Sequence, residues 1–228
     1  MENLPVYISI IFILTTLLTI FFFYKATNRS KSILLIISAW LLLQAVIAAT
    51  GFYTITNTIP PRLIFLIMPP LFIIVALFFT YTGRIFISSL DVKALTILHI
   101  VRILVEFVLL SLFLNKTVPG IMTFEGRNFD ILSGLTAPLI WYFGYVKKIL
   151  NKKIILAWNI CCTVLLLNIV VTAVLSAPFN FQQMALDQPN IAILYFPFIW
   201  LPGFIVPAVL FSHLAAISKL TRYKEKIN

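Results

Sequence analysis

Three ionisable residues, His99, Arg102 and Glu106, lie three and four positions apart within an apolar stretch. This spacing places side chains on one face of an α-helix. A charge at the centre of a membrane helix costs about 2.5–3.5 kcal/mol on insertion scales, so we expect Arg102 and Glu106 to face a bundle interior and each other. Glu106 would exchange protons, Arg102 would hold an anion and His99 would relay protons. The alternative is an ion pair that only fixes helix packing.

Further polar residues in other apolar runs could complete a site on this face. They are Gln44 in the second run, Asn159 and Asn168 in the sixth, and Tyr195 in the seventh. We expect Gln44, Asn168 and Tyr195 to contribute to a ligand- or proton-binding site. The alternative is that such side chains only form hydrogen bonds that hold membrane helices together.

The connection at residues 115–130, NKTVPGIMTFEGRNFD, is rich in both charged and aromatic side chains. Its Pro119-Gly120 pair predicts a turn, and Asp130 is suited to cap the helix that follows. One interpretation is a capped, re-entrant turn. The other is an outer lid or mouth that contacts a ligand. The candidate residues for that contact are Glu125, Arg127, Asn128 and Asp130.

Motifs for cofactor binding and catalysis are scarce. His99 and His213 fall in the same half of the predicted bilayer, and two histidines on separate helices can hold a b-type haem iron. The chain has only 2 histidines, too few for a three-histidine zinc site, and the HExxH and GxSxG motifs are missing. Cys161 and Cys162 are adjacent in an apolar run, which favours packing over nucleophilic chemistry. We therefore predict no metal and no cofactor, and the sequence favours binding or transport over catalysis.

Composition indicates the class of protein. Of 228 residues, 61% are hydrophobic and 11% are charged, and the mean hydropathy is +1.07. Soluble domains have about 45–50% apolar and about 25% charged residues. So much apolar surface predicts an integral membrane protein with one domain, residues 1–228. The net charge of +10 is then explained by membrane orientation rather than by nucleic-acid binding.

Seven apolar runs predict an all-α transmembrane bundle, since a crossing needs about 20 residues. The fifth run is the shortest, so its crossing depends on residues 126–130 dipping toward the membrane. The predicted helices span residues 4–24, 32–52, 63–81, 94–114, 131–145, 154–175 and 191–217.

Lysine and arginine alternate between the two sets of connections as the positive-inside rule predicts. The N-terminus is then outside and the C-terminus is cytoplasmic, where the cations lie against anionic lipid headgroups. The outer connections hold Arg62, Lys116 and Arg127, and the inner side holds Lys25, Arg29, Lys31, Arg84, Lys93, Lys147, Lys148, Lys152, Lys153, Lys219, Arg222, Lys224 and Lys226.

A faint internal similarity relates the second and third helices to the sixth and seventh. The letters LLLQ at 41–44 resemble LLLN at 165–168, and two prolines with the same spacing follow each. Three helices on each side of the fourth would form a weak 3+1+3 repeat, and chance matching of leucine-rich helices is the alternative. Pro197, Pro202 and Pro207 also predict a bend in the seventh helix.

Three functions remain open. We favour a small-solute or proton- or anion-linked transporter, or another ligand-binding membrane protein, in which Glu106 titrates beside Arg102. The second is a membrane-embedded enzyme or redox subunit that acts on a lipid or quinone or carries haem b. The third is a non-catalytic partner or sensor. The expected partners are the bilayer and a small ligand or ion, and the Lys-, Asn- and Ile-rich loops suggest a bacterial cytoplasmic membrane.

Overall fold

The computed structural model describes residues 4–222, and this part of the chain is helical without any β-strand. The all-α prediction is therefore confirmed. Lys224 and Lys226 of the predicted inner charge set lie outside the described residues. The α-helices are α1 (Val6–Ala26), α2 (Lys31–Ala49), α3 (Ile64–Phe79), α4 (Tyr81–Ser89), α5 (Val92–Leu98), α6 (Val101–Leu114), α7 (Ile131–Leu139), α8 (Lys152–Leu175) and α9 (Val206–Arg222).

Within residues 4–222, five helical segments are each long and apolar enough to cross a membrane. They are α1, α2, α8 and two composite segments, Val92–Leu114 and Leu201–Thr221. The third predicted crossing is instead a bent pair, because α3 and α4 meet at 93°. The fifth is the short apolar helix Ile131–Val146. The seven apolar runs thus form five long helices, one sharply bent pair and one short helix.

The prediction that the last helix begins at residue 191 is wrong. Residues 191–199 form turns and a short 3-10 segment, and after Trp200 the helix begins with the π-helical turn Leu201–Ile205 that continues into α9. Pro197 has no N–H to donate, and it disfavours helical geometry at the residue before it. Pro202 lies in the π-helical turn at the start of this helix.

The junction of α5 and α6 is a tight turn at His99. The His99 N–H donates to the Thr96 carbonyl at 3.3 Å, and the Arg102 N–H donates to the His99 carbonyl at 3.1 Å. Such i→i−3 bonds replace the α-helical pattern there. Gly134 of α7 packs against the turn, because a Cβ at Gly134 would lie 3.3 Å from the His99 carbonyl oxygen. The first turn of α7 therefore crosses the middle of the segment Val92–Leu114.

The 115–130 connection folds into the bundle instead of lying over it. Val118 and Met122 are almost completely buried. The Thr117 carbonyl accepts hydrogen bonds from the N–H groups of Ile191 and Ala192, at 3.0 and 3.1 Å. This packing favours the re-entrant interpretation and brings the end of the connection to the interior of the protein.

Candidate functional site

Buried polar side chains meet where the α5–α6 turn, the start of α7, α8 and α9 converge. Each is at most 6% exposed. Buried polar groups are costly unless they are hydrogen-bonded, so their partners decide what such a group can do. We call this set the polar cluster, and its members are His99, Arg102, Glu106, Asn128, Asp130, Asn159 and His213.

Arg102 forms a bidentate ion pair with Asp130. The Arg102 Nε donates to Oδ2 of Asp130 at 2.7 Å, Nη2 donates to Oδ1, and Nη2 also donates to the Cys162 carbonyl at 3.4 Å. The expected ion pair between Arg102 and Glu106 is therefore wrong. Asp130 presents both oxygens to the planar guanidinium group, which is the stronger arrangement. Its position before the first turn of α7 also favours a negative charge.

Asp130 occupies the N-cap position of α7, but its side chain makes no capping hydrogen bond. The prediction that it caps the helix is thus wrong, because both carboxylate oxygens point to Arg102.

The hydrogen bonds of His213 define its tautomer. Arg102 Nη1 lies 3.0 Å from His213 Nε2, and arginine can only donate, so Nε2 accepts. Nδ1 then carries the proton and donates to Asn159 Oδ1 at 2.9 Å. Asn159 Nδ2 donates to the Ile155 carbonyl at 2.9 Å, which fixes the orientation of the amide. This network accommodates a neutral imidazole at His213.

His99 and His213 meet as a stacked pair. Their ring centroids are 3.8 Å apart and their planes differ by 12°. Trp158 contacts both rings edge-on at 5.6 Å, and its Nε1 donates to Thr136 Oγ1 at 2.8 Å. The Nδ1 of His99 is buried and has no hydrogen-bond partner in the described part of the chain.

This histidine pair does not fit a b-type haem. Iron ligation needs a free nitrogen on each ring, whereas both nitrogens of His213 are engaged in hydrogen bonds. In addition, no group of three or more His, Cys, Asp and Glu residues that could hold a metal ion occurs in the described part of the chain.

Glu106 forms no ion pair among residues 4–222. Its Oε1 accepts a hydrogen bond from Asn128 Nδ2, which also donates to the Met122 carbonyl at 3.0 Å. Asn128 Oδ1 accepts from the N–H of Asp130 at 3.0 Å. The second oxygen of Glu106, Oε2, is buried and has no hydrogen-bond partner among the residues that the structure describes. Glu106 is therefore a carboxyl group with one unused oxygen and no cation of its own.

Three other candidate site residues lie outside the polar cluster. Gln44 is buried but accepts a hydrogen bond from the Tyr53 hydroxyl, and burial raises the pKa of Tyr53 to about 12. Asn168 is exposed and donates to the Arg127 carbonyl at 3.1 Å. Tyr195 is 36% exposed and belongs to the non-helical stretch before α9.

The four candidates of the 115–130 connection divide into two pairs. Asn128 and Asp130 are buried in the polar cluster, whereas Glu125 and Arg127 are exposed. A connection that re-enters the bundle near its end explains this division, since the buried pair directly precedes α7.

Two further residues take part in this region and were not predicted to do so. Trp158 packs edge-on against both histidines. Ser133 is completely buried and its hydroxyl interacts with the Cys162 thiol. Ser133 follows Asp130 by one helical turn, so the i,i+3 rule could have placed it on the same face.

A family model described as "Domain of unknown function (DUF8737)" matches residues 59–221. The matched region begins before α3 and contains every member of the polar cluster. No curated protein and no solved structure matches the chain.

Proposed function

We propose that this protein, which belongs to the DUF8737 family, is a multi-pass membrane protein that moves a small solute together with a proton carried by Glu106. The observation that carries the proposal is the buried Oε2 of Glu106, a member of the polar cluster, which has no hydrogen-bond partner among residues 4–222. Ionisable groups inside membrane helices characteristically mark proton relays and substrate paths.

The electrostatics of the cluster favour a proton as the partner of Glu106. Asp130 already balances the charge of Arg102, so an ionised Glu106 would add an uncompensated buried charge, which costs several kcal/mol. A proton neutralises Glu106 without any movement of Arg102. A carrier needs such a group, whose charge changes when a proton or a solute reaches it.

The discontinuous helices supply elements that could move. α3 bends into α4 by 93°, the 3-10 turn at His99 separates α5 from α6, and π-helical turns occupy Ile140–Val146 and Leu201–Ile205. Transporter sites are typically built from broken helices, and π-helical turns are frequent at functional positions. One of these breaks, the turn at His99, lies within the polar cluster.

For the topology, we propose seven crossings in which α3 and Ile131–Val146 are the short ones. The alternating lysine and arginine residues support an outer N-terminus and a cytoplasmic C-terminus. A plasma membrane, with the cation-rich face in the cytoplasm, is the location that follows from this arrangement.

The proposal is tested with purified protein in liposomes that enclose a pH-sensitive dye. A potassium diffusion potential drives protons inward, and amino acids, carboxylates and sugars are added outside in turn. We expect one of these classes to increase proton uptake by the wild type and Glu106→Gln to abolish the increase. Glu125→Gln is the matched control because Glu125 is an exposed carboxyl outside the polar cluster, and it should retain the response.

Infrared spectra provide an independent measurement on Glu106 itself. A protonated carboxyl group absorbs separately from a carboxylate, and we expect one such band in the wild type to shift in D2O and to disappear in Glu106→Gln. Solute-linked proton uptake that persists in Glu106→Gln, or spectra without such a band, would contradict the proposal.

A further inference from the structure

The buried charges of this protein are few, and they nearly balance. Among residues 4–221, Arg102, Glu106 and Asp130 are the only buried lysine, arginine, aspartate or glutamate side chains. Arg102 and Asp130 form an ion pair with each other, which leaves Glu106 as the unpaired acid. This part of the interior therefore carries one negative charge when Glu106 is ionised and no net charge when Glu106 carries a proton.

The two histidines of the polar cluster enter this balance as neutral groups. His213 Nε2 accepts a hydrogen bond from Arg102 and its Nδ1 donates to Asn159 Oδ1, so the neutral ring satisfies both nitrogens. His99 stacks on that ring at 3.8 Å, and no carboxylate pairs with either histidine among residues 4–222. A proton on either ring would add a second cation near Arg102 without an acid to balance it.

Arg102 is committed to partners within the chain. Its Nε and Nη2 donate to the two carboxylate oxygens of Asp130. Its Nη1 contacts His213 at 3.0 Å, and Nη2 also donates to the Cys162 carbonyl at 3.4 Å. A solute carboxylate would have to displace Asp130, which would leave the Asp130 carboxylate buried without a cation. The anion that Arg102 holds in this structure is therefore Asp130.

Cationic and zwitterionic solutes fit this charge balance no better. A cation has only Glu106 to pair with, so it would compete with the proton for Glu106 instead of moving together with it. A zwitterion, such as an amino acid, would have to separate Arg102 from Asp130 to satisfy its own two charges. Each kind of charged solute thus either breaks the ion pair or displaces the proton.

We propose that the solute moved with the proton is an uncharged molecule that bears hydroxyl groups, such as a sugar or a polyol. This proposal rests on the proposed function and adds the class of solute to it. The Oε1 of Glu106 is occupied by Asn128, so a protonated Oε2 offers the solute a hydrogen-bond donor without a charge. The Nδ1 of His99, unpartnered among residues 4–222, is a second uncharged hydrogen-bonding atom of the same helical segment. Hydroxyl groups, which both donate and accept, match such atoms.

Proton uptake into dye-loaded liposomes is measured with neutral solutes and with charged derivatives of the same size. Glycerol, xylitol and glucose are each offered beside a carboxylate and an amine derivative with the same number of carbon atoms. We expect a neutral solute to increase proton uptake by the wild type. Its charged derivatives should be at least about 100-fold less effective, because an uncompensated buried charge weakens binding by that factor or more. Glu125→Gln, a change at an exposed position, should keep the wild-type preference.

Thermal stabilisation of the purified protein by the same solutes is a second measurement, and it needs no proton flux. A ligand that binds the folded state raises the melting temperature. We expect the neutral solute that drives proton uptake to raise the melting temperature of the wild type. Its charged derivatives should leave the melting temperature unchanged at the same concentration.

The outcomes separate this proposal from the proposed function. A charged derivative that drives proton uptake in the wild type but not in Glu106→Gln would overturn the class of solute and leave Glu106 as the proton carrier. Uptake that persists in Glu106→Gln would contradict the proposed function itself. Stabilisation by a charged derivative and not by its neutral partner would also overturn the class of solute, as would the lack of a response to every neutral solute in both measurements.

Discussion

Asp130→Asn should be far more destabilising than Glu106→Gln, although both changes replace a buried carboxyl group by an amide of the same shape. Asp130 is the partner of the buried Arg102 guanidinium, which is 2% exposed. Glu106 has no cationic partner among residues 4–222. If Arg102 paired with Glu106 instead of Asp130, as the i,i+4 spacing on α6 predicts, Glu106→Gln would be the more destabilising of the two changes.

The structure gives the expected size of each effect. Removing one member of a buried ion pair costs about 3–5 kcal/mol because an uncompensated charge remains. Asp130→Asn should therefore reduce the unfolding free energy by about 3 kcal/mol or more, which is a factor of more than about 100 in the unfolding equilibrium. Glu106→Gln preserves an acceptor for Asn128, so we expect a change below about 1 kcal/mol.

The assay is unfolding in mixed micelles by added denaturing detergent, followed by tryptophan fluorescence. The exposed Asp187 provides the control variant Asp187→Asn, which should behave as the wild type. A second control is Arg102→Met combined with Asp130→Leu. Since replacing a whole buried ion pair by apolar residues is often neutral, this double variant should regain most of the stability that Asp130→Asn loses.

Equal losses in Asp130→Asn and Glu106→Gln would refute this reasoning, because they would mean that both carboxyl groups balance Arg102. A larger loss of unfolding free energy in Glu106→Gln than in Asp130→Asn would indicate that Arg102 pairs with Glu106 on the same helix.

Three further results are expected. Gly134→Ala should destabilise the protein by about 1–3 kcal/mol, because the new Cβ would lie 2.8 Å from Ile103 Cγ1. The control Leu135→Ala, at an exposed position, should have little effect. Equal melting temperatures of the two variants would contradict this prediction. Tyr53→Phe leaves the buried Gln44 Oε1 unpaired and should reduce the unfolding free energy by about 1–3 kcal/mol at neutral pH. Because the pKa of Tyr53 is raised from 10.0 to about 12, the stabilisation by its hydroxyl is complete below pH 10 and is lost as the pH rises toward 12. Unfolding curves of the wild type and of Tyr53→Phe should therefore converge at alkaline pH. A C-terminal green fluorescent protein fusion should fluoresce in cells and a C-terminal alkaline phosphatase fusion should be inactive; the opposite pair of results would reverse the proposed orientation.

Much of the interior face of α5 and α6 is predictable from spacing alone. His99, Arg102 and Glu106 are all buried, as the steps of three and four residues on one helix face require. The sequence is equally clear about which stretches are apolar, and five of the resulting helical segments are long enough to cross a membrane. These features are local, because they depend on side-chain type and on the helical repeat.

The partners of those residues are not predictable in the same way. Arg102 pairs with Asp130, which is 28 residues away in the sequence, and Glu106 accepts a hydrogen bond from Asn128, which is 22 residues away. Both partners come from a connection with little regular structure, so no periodicity relates them to α6. The fold of the connection decides which acid meets the guanidinium group.

The sequence by itself determined the helical class, the apolar segments, the inward face of α5 and α6 and the uneven distribution of charge. The tertiary structure alone decided the Arg102–Asp130 pair, the stacked His99 and His213, and the packing of the 115–130 connection into the bundle. The physical reason is the distance along the chain over which each kind of interaction acts. Hydrophobicity and helical periodicity act over one or two turns, whereas the electrostatic balance of a buried group depends on every chain segment that packs around it.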